Sequence, residues 1–372
     1  GAHVRERGGL PAHYGQKSDR RHQTPLLFPP EIHQVLHAGD VLRCQKAGIL
    51  YFWTLCADSF LRSKCSDHQL IVCYIGDSMF YDCTQLSSIS LPSTITEIKT
   101  NAFRNCPSIT SLVIPENVKE IGEGAFKDCA ELVSVVFTKG LTTIGDSAFE
   151  NSGVTSFSFG YISEIGARAF YNTKLTTVST STNHTVGVSA FEGCKNLTEV
   201  NMSSVTALGE RAFADCTALT TVQTPLLSEI SGYAFYNCVS LSKITWSSTV
   251  LRYIGDYAFY NCKSLGDLDF YRQYNIKYLG ESAFRNCTGI KSVRFDNSFD
   301  TLGAYAFAGC TNLESVTLSS TIININDGAF SGCRSLPSIV IPSAVKFIGN
   351  EAFFGCSGLL YVFYESSNTN WN

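Results

Sequence analysis

The 372-residue sequence lacks an excess of basic residues and has little charge of either sign. Charged residues make up 16% of the chain, and the 28 Lys and Arg against 32 Asp and Glu give a formal net charge of -4. A protein that neutralises phosphates needs a basic surface, so this composition argues against nucleic acid as a partner. Methionine is scarce, with 2 residues, whereas Phe and Cys are abundant, with 25 and 15. Those two residue types therefore need an explanation of their own.

Long apolar runs are also missing. The one sustained run, residues 47–57, is shorter than the roughly 20 residues that a membrane-spanning helix needs. Because Arg43 and Lys46 precede it, the run resembles the apolar part of a signal peptide, although about forty residues stand before it. A hydrophobic N-terminal cap is the alternative that we favour. We expect no membrane span in this chain.

Motifs of common enzymes are absent as well. The sequence has no G-x-S-x-G, P-loop, H-E-x-x-H or paired C-x-x-C motif. Asp267 and Asp269 alternate on one predicted strand and could touch a cation, but two carboxylates make a weak site. Only His68 and His184 lie in or near the repeats described next, so a nucleophile–His pair has few candidates. We expect a protein that is not an enzyme and that holds no cofactor and no metal.

What the sequence does contain is an internal repeat, which accounts for the Phe and Cys content. Phe recurs thirteen times at intervals of 21–25 residues, Ala precedes it in twelve units, and Cys follows three residues later in eleven. Gly stands four residues before the Phe in ten units. The thirteen recurring residues are Phe80, Phe103, Phe126, Phe149, Phe170, Phe191, Phe213, Phe235, Phe259, Phe284, Phe307, Phe330 and Phe353.

Each unit reads as two short extended segments joined by turns. The alternation Leu313, Val316, Leu318 predicts a strand with one buried face, and Ile254-Gly255 predicts a second short strand that ends in a turn. At that turn Gly supplies either a positive φ or a close backbone approach. One unit of about 23 residues cannot bury its own apolar face, so the units must stack. The repeat therefore predicts one solenoid, roughly 60 Å long at about 4.8 Å per turn, with a continuous row of Phe inside.

The repeat pattern A-F-x-x-C-x-x-L-x-x-V-x-L-P resembles the BspA-like branch of the leucine-rich repeats over residues 75–372. Leu91-Pro92, Ile114-Pro115 and Ile341-Pro342 match the Leu-Pro that ends the strand in that family, and residues 364–371 resemble its Tyr-to-Trp tail. The family is found in surface proteins of anaerobic bacteria and parasitic protists. The resemblance implies a β-rich, right-handed, curved solenoid, here of about 13 units of 21–25 residues. It also implies binding or adhesive roles without catalytic chemistry.

Eleven cysteines share one position in the repeat and form a predicted ladder. Neighbouring rungs approach the Cα separation at which disulfides form, so bridges are one interpretation. Metal binding is less favoured because no C-x-x-C pair or His accompanies the ladder. We favour free structural thiols, since Ser152 and Thr173 replace Cys in two units whose following turn is one residue shorter. The ladder is Cys83, Cys106, Cys129, Cys194, Cys216, Cys238, Cys262, Cys287, Cys310, Cys333 and Cys356.

The two ends depart from the repeat. We divide the chain into a flexible or non-native leader (residues 1–50), a degenerate N-terminal capping repeat (51–74), the solenoid (75–364) and a truncated C-terminal tail (365–372). Four cysteines lie outside the ladder, and any disulfides of the chain would be sought first among them. They are Cys44, Cys56, Cys65 and Cys73.

The candidate ligand surface is a concentration of tyrosines in the longest repeats. Tyr is favoured at interfaces because its rigid ring loses little entropy on binding. The alternative is that these rings only cover the flank of the Phe row. The predicted ligand-binding residues are Tyr236, Tyr253, Tyr257, Tyr260, Tyr271, Tyr274 and Tyr278, and Tyr233 belongs to the same concentration.

The favoured function is therefore a non-enzymatic protein-binding or adhesion repeat protein at the cell surface or secreted, with host or extracellular-matrix proteins, or a second copy, as partners. The alternative is an intracellular, cytoplasmic scaffold for protein–protein interaction, which free thiols favour.

Overall fold

The computed structural model describes residues 49–51, 74–137, 139–180, 182, 185–245, 251–271, 276–295 and 298–365. Within these residues every regular element is a β-strand and no helix occurs. All strand pairs are parallel, and together they form a solenoid of about twelve turns. The predicted β-rich repeat solenoid is confirmed. The leader up to residue 48, most of the capping repeat, the tail from residue 366, Tyr274 and the four cysteines outside the ladder lie outside the described residues.

One stack holds the longer strand of each repeat. Its strands are β1 Ile49–Tyr51, β3 Ser88–Ser90, β5 Ser111–Val113, β7 Ser134–Val136, β10 Thr177–Thr180, β12 Glu199–Met202, β13 Thr221–Gln223, β15 Lys243–Thr245, β17 Leu268–Asp269, β19 Ser292–Arg294, β21 Ser315–Thr317, β23 Ser338–Ile341 and β25 Tyr361–Tyr364. A second stack holds the two-residue strand that follows. Its strands are β2 Tyr74–Ile75, β4 Glu97–Ile98, β6 Glu120–Ile121, β8 Thr143–Ile144, β9 Glu164–Ile165, β11 Thr185–Val186, β14 Glu229–Ile230, β16 Tyr253–Ile254, β18 Tyr278–Leu279, β20 Thr301–Leu302, β22 Asn324–Ile325 and β24 Phe347–Ile348.

The register follows the alternation of apolar and polar residues. In the sheet β10-β12-β13-β15, Val178 pairs with Val200, Val200 with Val222, and Val222 with Ile244. The three valines are buried, and the residues on either side of each point to the other face of the strand. A shift by one residue would expose this apolar row, so the repeat spacing in the sequence is what fixes the pairing.

After each short strand the chain makes a turn around the recurring Phe, which we call the Ala-Phe turn. In all thirteen turns, residues two before and two after the Phe have positive φ. The later position is Asn, Asp or Gly every time, the types that tolerate this conformation best. The earlier position accepts Tyr233, Tyr257 and Tyr305 at φ of 56°. A large side chain there costs about 1–2 kcal/mol.

Backbone hydrogen bonds join each Ala-Phe turn to the next. The N–H of every recurring Phe from Phe80 to Phe330 donates to the carbonyl of the residue just before the Phe of the following repeat, twelve bonds of 2.7–2.9 Å. The rings stack in the same order, with twelve successive centroid distances of 5.0–5.7 Å and interplanar angles of 2–12°. The core is therefore one uninterrupted column of thirteen Phe, which we call the Phe spine.

At Gly255, after the short strand, the Gly serves close approach and not positive φ. A Cβ atom there would lie 2.6 Å from the backbone nitrogen of Gly232, and the φ of Gly255 is not positive. A larger residue at this position would meet the backbone of the preceding turn. Of the two roles that the sequence left open, close approach is the one found at Gly255.

Candidate functional site

The ladder cysteines lie beside the Phe spine, buried and unbridged. From Cys106 onward each Sγ donates to the backbone carbonyl of the Phe in the preceding repeat, at 2.9–3.3 Å. Burial raises the pKa of Cys194 to about 11 and that of Cys310 to about 12. Thiols buried as deeply as these two stay protonated near neutral pH and are poor nucleophiles, which suits a role in packing.

The two positions without Cys behave differently from each other. Thr173 Oγ1 donates to the carbonyl of Phe170 at 3.0 Å and lies 3.2 Å from Cys194 Sγ. Ser152 is buried, and its Oγ has no hydrogen-bond partner. A Ser side chain is shorter than Cys, so its hydroxyl falls short of the carbonyl that a thiol would reach. The ladder is thus interrupted at this point.

Four of the predicted tyrosines come together on the outer edge of the Ala-Phe turns, and we call this surface the tyrosine edge: Tyr233, Tyr236, Tyr257 and Tyr260. Tyr233 stacks on Tyr257 at 4.9 Å, and Tyr236 stacks on Tyr260 at 5.1 Å. Within each turn the two rings are tilted by 49° or 41°. All four side chains are half-buried. Two hydroxyls are engaged by neighbours, since Tyr257 donates to Glu281 and Tyr260 accepts from Asn286 Nδ2 at 3.3 Å.

Charged side chains border the tyrosine edge at both ends. The guanidinium of Arg211 lies 5.5 Å from the ring centroid of Tyr233 and 5.7 Å from that of Tyr236. At the other end, Tyr257 donates its hydroxyl to Glu281 at 2.8 Å. This hydrogen bond raises the pKa of Tyr257, and burial raises the pKa of Tyr236. Both phenols therefore remain neutral hydrogen-bond donors at physiological pH.

The other predicted tyrosines lie elsewhere. Tyr253 and Tyr278 stack at 5.9 Å on strands β16 and β18 of the short-strand stack. Tyr271 follows β17 in the long-strand stack, 3.7 Å from the guanidinium of Arg294. The structure thus divides the predicted set into three places, and the tyrosine edge is the part in which four rings meet.

Sequence reasoning missed the charged pairs along the Ala-Phe turns, one of which borders the tyrosine edge. Arg211 binds Glu192 through two hydrogen bonds, of 3.0 and 2.7 Å, and Arg168 binds Glu150 in the same way at 3.2 and 2.7 Å. Lys127 lies 3.1 Å from Glu150. Burial alone would raise the pKa of Glu150, but bonds from Arg168, Ser147 and Lys127 outweigh it and lower the pKa to about 2. In each pair, Glu follows its Phe directly and Arg stands two before the next Phe, a signal that was available in the sequence.

The two carboxylates that the sequence suggested as a weak cation site are engaged by the backbone. Asp267 accepts backbone N–H groups of Lys291 and Ser292 at 3.0 and 2.8 Å, and Asp269 accepts the N–H of Tyr271 at 2.9 Å. Both side chains therefore satisfy the backbone of their own strand and its neighbour. Across the described residues no group of three His, Cys, Asp or Glu is placed to hold a metal ion, and no helix there could cross a membrane.

The polar face of the long strands is also engaged in structure. Thr176, Thr198 and Thr220 each donate their hydroxyl to the carbonyl of the Thr one repeat earlier, at 2.9–3.4 Å. Thr155 and Ser242 extend the row in the same manner at 3.4 and 3.2 Å. These hydroxyls stabilise the stack of strands.

Comparison with a solved structure gives the same fold. The chain is 25% identical to a leucine-rich repeat protein from Bacteroides ovatus, with a TM-score of 0.62 over 86% of this chain and 81% of that one. A leucine rich cell surface protein from Faecalibacterium prausnitzii is 25% identical over 81% and 85% of the two chains, with a TM-score of 0.43. A leucine-rich repeat protein from Eubacterium ventriosum is 24% identical over 73% and 83%, with a TM-score of 0.44.

The sequence comparison is more specific. A search of curated proteins gives no match. The family model described as BspA type leucine rich repeat region matches in six copies, at residues 64–176, 163–273 and 228–360. These matches span most of the chain and coincide with the stacked strands and Ala-Phe turns. The chain therefore belongs to the BspA-type leucine-rich repeat family.

Proposed function

We propose that this chain is a non-enzymatic protein-binding protein displayed at the cell surface, which engages host or extracellular-matrix proteins through the tyrosine edge. The observation that carries the proposal is the double row of stacked tyrosines between Arg211 and Glu281. Tyr and Arg are the residue types that dominate the energetics of protein interfaces. The surface location rests on the family, whose members include surface proteins.

Preorganisation strengthens the argument. Each ring of the tyrosine edge is held by a neighbour 4.9–5.1 Å away, so little side-chain entropy remains to be lost on binding. Tyr233 and Tyr257 also occupy positive-φ positions that Gly or Asn would fill at lower cost. Stacking of the rings, worth about 0.5–1.5 kcal/mol, offsets part of that cost. A partner that covers the exposed ring edges would supply more.

The test is binding of the full chain to immobilised fibronectin, laminin and collagen, measured by surface plasmon resonance. The variant Tyr236→Ala with Tyr260→Ala removes one of the two stacked pairs of the tyrosine edge. The control variant, Tyr253→Ala with Tyr278→Ala, removes a stacked pair from the short strands. We expect the first variant to lose at least tenfold in affinity and the second to bind as the unaltered chain does. Equal binding by both variants would exclude the tyrosine edge as the contact.

An intracellular scaffold is the second candidate, and the free ladder thiols favour it. Reducing compartments keep such thiols reduced without protection. Surface biotinylation of intact cells separates the two functions: labelling supports display at the surface, and absence of labelling beside a labelled surface control supports the scaffold.

A further inference from the structure

The two repeats in which Ser152 and Thr173 replace the ladder cysteine also have a shorter turn after the Phe. In most repeats the buried residue after the Cys lies six positions beyond the Phe, as Leu132 and Leu197 do, but Val154 and Leu175 lie five beyond. Two adjacent turns are therefore one residue shorter than those on either side. The shortened turn also depends on Gly153, where a Cβ atom would collide with the carbonyl oxygen of Ala130.

A cavity of about 420 Å³, open on one side, lies along these turns. A cavity of about 390 Å³ lies at the same repeat positions along full-length turns, but only the first reaches the position three residues after the Phe, which Ser152 and Thr173 occupy. Glu131 stands on one wall and Lys195 with Asn196 on the other, while Ser152 and Thr173 line the recess between them. The volume lies within the range of about 300–1,000 Å³ that is usual for small-molecule sites. We call this cavity, together with the adjoining Asn151, Asn172 and Lys174, the notch.

The polar groups of the notch are left partly unpaired by the fold. Along this side an amide ladder runs from Asp128, with Asn151 Nδ2 donating to Asp128 at 2.9 Å and Asn172 Nδ2 donating to Asn151 at 3.0 Å. The ladder stops at the next repeat because Gly193 has no side chain. Within the described residues, Asn172 Oδ1 therefore accepts no hydrogen bond from the protein, and this exposed amide borders the cavity, where solvent or a ligand can donate to it.

The cavity also has one buried group without a partner. The Ser152 hydroxyl is buried and makes no hydrogen bond, at a cost of about 1–3 kcal/mol for such a group. Rotation about χ1 offers it three staggered positions, so a ligand oxygen in the notch can recruit it. The broken cysteine ladder and the broken amide ladder thus leave unpaired groups in the same cavity.

The charge and polarity of the lining define the ligand. Lys174 and Lys195 bring two ammonium groups against the single carboxylate of Glu131, and none of the three forms a salt bridge among the described residues. Apart from Ala130 the lining has no apolar side chain, so an aromatic or lipid ligand would find no apolar contact. The amides and hydroxyls of the lining can both donate and accept hydrogen bonds, as the hydroxyl groups of a polyol require. The two lysines can bind a negatively charged group of the same ligand.

We propose that the notch binds a sugar unit that carries a carboxylate, as a uronic acid does. The lysines hold the carboxylate, and the amides and Ser152 meet the ring hydroxyls. This site is independent of the tyrosine edge, which lies on other residues of the Ala-Phe turns. A surface protein with both would hold a protein partner and an acidic glycan through separate contacts.

The test uses the full chain and saturation-transfer NMR with D-glucuronate, D-glucose and acetate as probes. We expect signals from glucuronate that are at least tenfold stronger than those from glucose or acetate at equal concentration. Acetate signals as strong as glucuronate signals would mean that the notch binds any small anion. Glucose signals as strong as glucuronate signals would remove the role of the lysines. Either result overturns the proposal.

Two pairs of variants locate the site. Lys174→Ala with Lys195→Ala should lose the glucuronate signal at least tenfold, whereas Lys243→Ala, an exposed lysine on strand β15 that lines neither cavity, should keep it. Gly193→Asn should also lose it, because the new amide would fill the notch and extend the ladder.

The Gly193→Asn variant should fold well. A Cβ at Gly193 would lie 3.6 Å from Asn172, an ordinary contact, and Asn tolerates the φ of 75°. Gly355→Asn is its control, because Gly355 holds the same repeat position and lines neither cavity. Retention of the signal in Gly193→Asn, or its loss in Gly355→Asn, would show that the sugar binds elsewhere.

Discussion

Replacing one ring of the Phe spine tests whether stacking between repeats holds the solenoid together. Phe213 is fully buried and stacks on Phe191 at 5.1 Å and on Phe235 at 5.7 Å. Phe213→Leu removes both aromatic pairs, worth about 0.5–1.5 kcal/mol each, and keeps an apolar side chain in place. The change of shape adds less than about 1.5 kcal/mol. We expect a loss of about 2–4 kcal/mol in the free energy of unfolding.

Phe353 provides the matched comparison, since it ends the spine and stacks on Phe330 alone, at 5.6 Å. Phe353→Leu removes one pair from a partly exposed position, so we expect about half the loss found for Phe213→Leu. Urea unfolding followed by far-ultraviolet circular dichroism measures both, provided that the slope of the transition is unchanged. If Phe213→Leu costs no more than Phe353→Leu, the reasoning that stability is a sum of contacts between neighbouring repeats is wrong.

Three further perturbations address the charged and polar ladders. Glu150 has its pKa lowered to about 2 from an ordinary 4.5, so its contribution to stability is complete above about pH 4.5 and is lost as the pH falls towards 2. We expect Glu150→Gln to flatten the acid limb of the stability curve and exposed Glu199→Gln to leave it unchanged, as pH-dependent urea titrations would show. Ser152→Cys should restore the ladder hydrogen bond and stabilise the fold by about 0.5–1.5 kcal/mol, and Ser152→Ala, which removes the unpaired hydroxyl, should stabilise it by about 1–3 kcal/mol, in the same unfolding assay. Iodoacetamide with mass spectrometry should modify Cys356, at the end of the ladder, well before the fully buried Cys238, and equal rates for the two would contradict the packing described here.

The repeat itself was predictable because each unit uses the same positions for the same physical task. The strict spacing of Phe and Cys places every copy at one level of the stack, and the alternation around Val200 fixes which face is buried. The turns follow from Asn, Asp and Gly two residues after each Phe, since these types favour positive φ. These features follow from residues that recur at a fixed position in every repeat, so they can be read from the sequence without knowledge of other contacts.

The site was harder to predict because closeness in the sequence does not mean closeness in a solenoid. Tyr253 and Tyr257 are four residues apart but belong to a strand and to an Ala-Phe turn. Tyr233 and Tyr257 are 24 residues apart and stack, because both stand two before their Phe. Comparing repeat positions would have found this pair and also the Arg211–Glu192 pair. The notch, in contrast, depends on a missing residue and a missing side chain, whose effect on shape needs coordinates.

Hydrogen exchange at the spine amides tests most directly the claim that the chain forms one continuous stack. Twelve of the thirteen recurring Phe donate their N–H to the next repeat, and Phe353 alone has no such partner among the described residues. Exchange followed residue by residue should therefore show slow amides from Phe103 to Phe330 without a break and a fast amide at Phe353. Fast exchange at several spine amides in the middle of the chain, such as Phe213 and Phe235, would contradict a single stack.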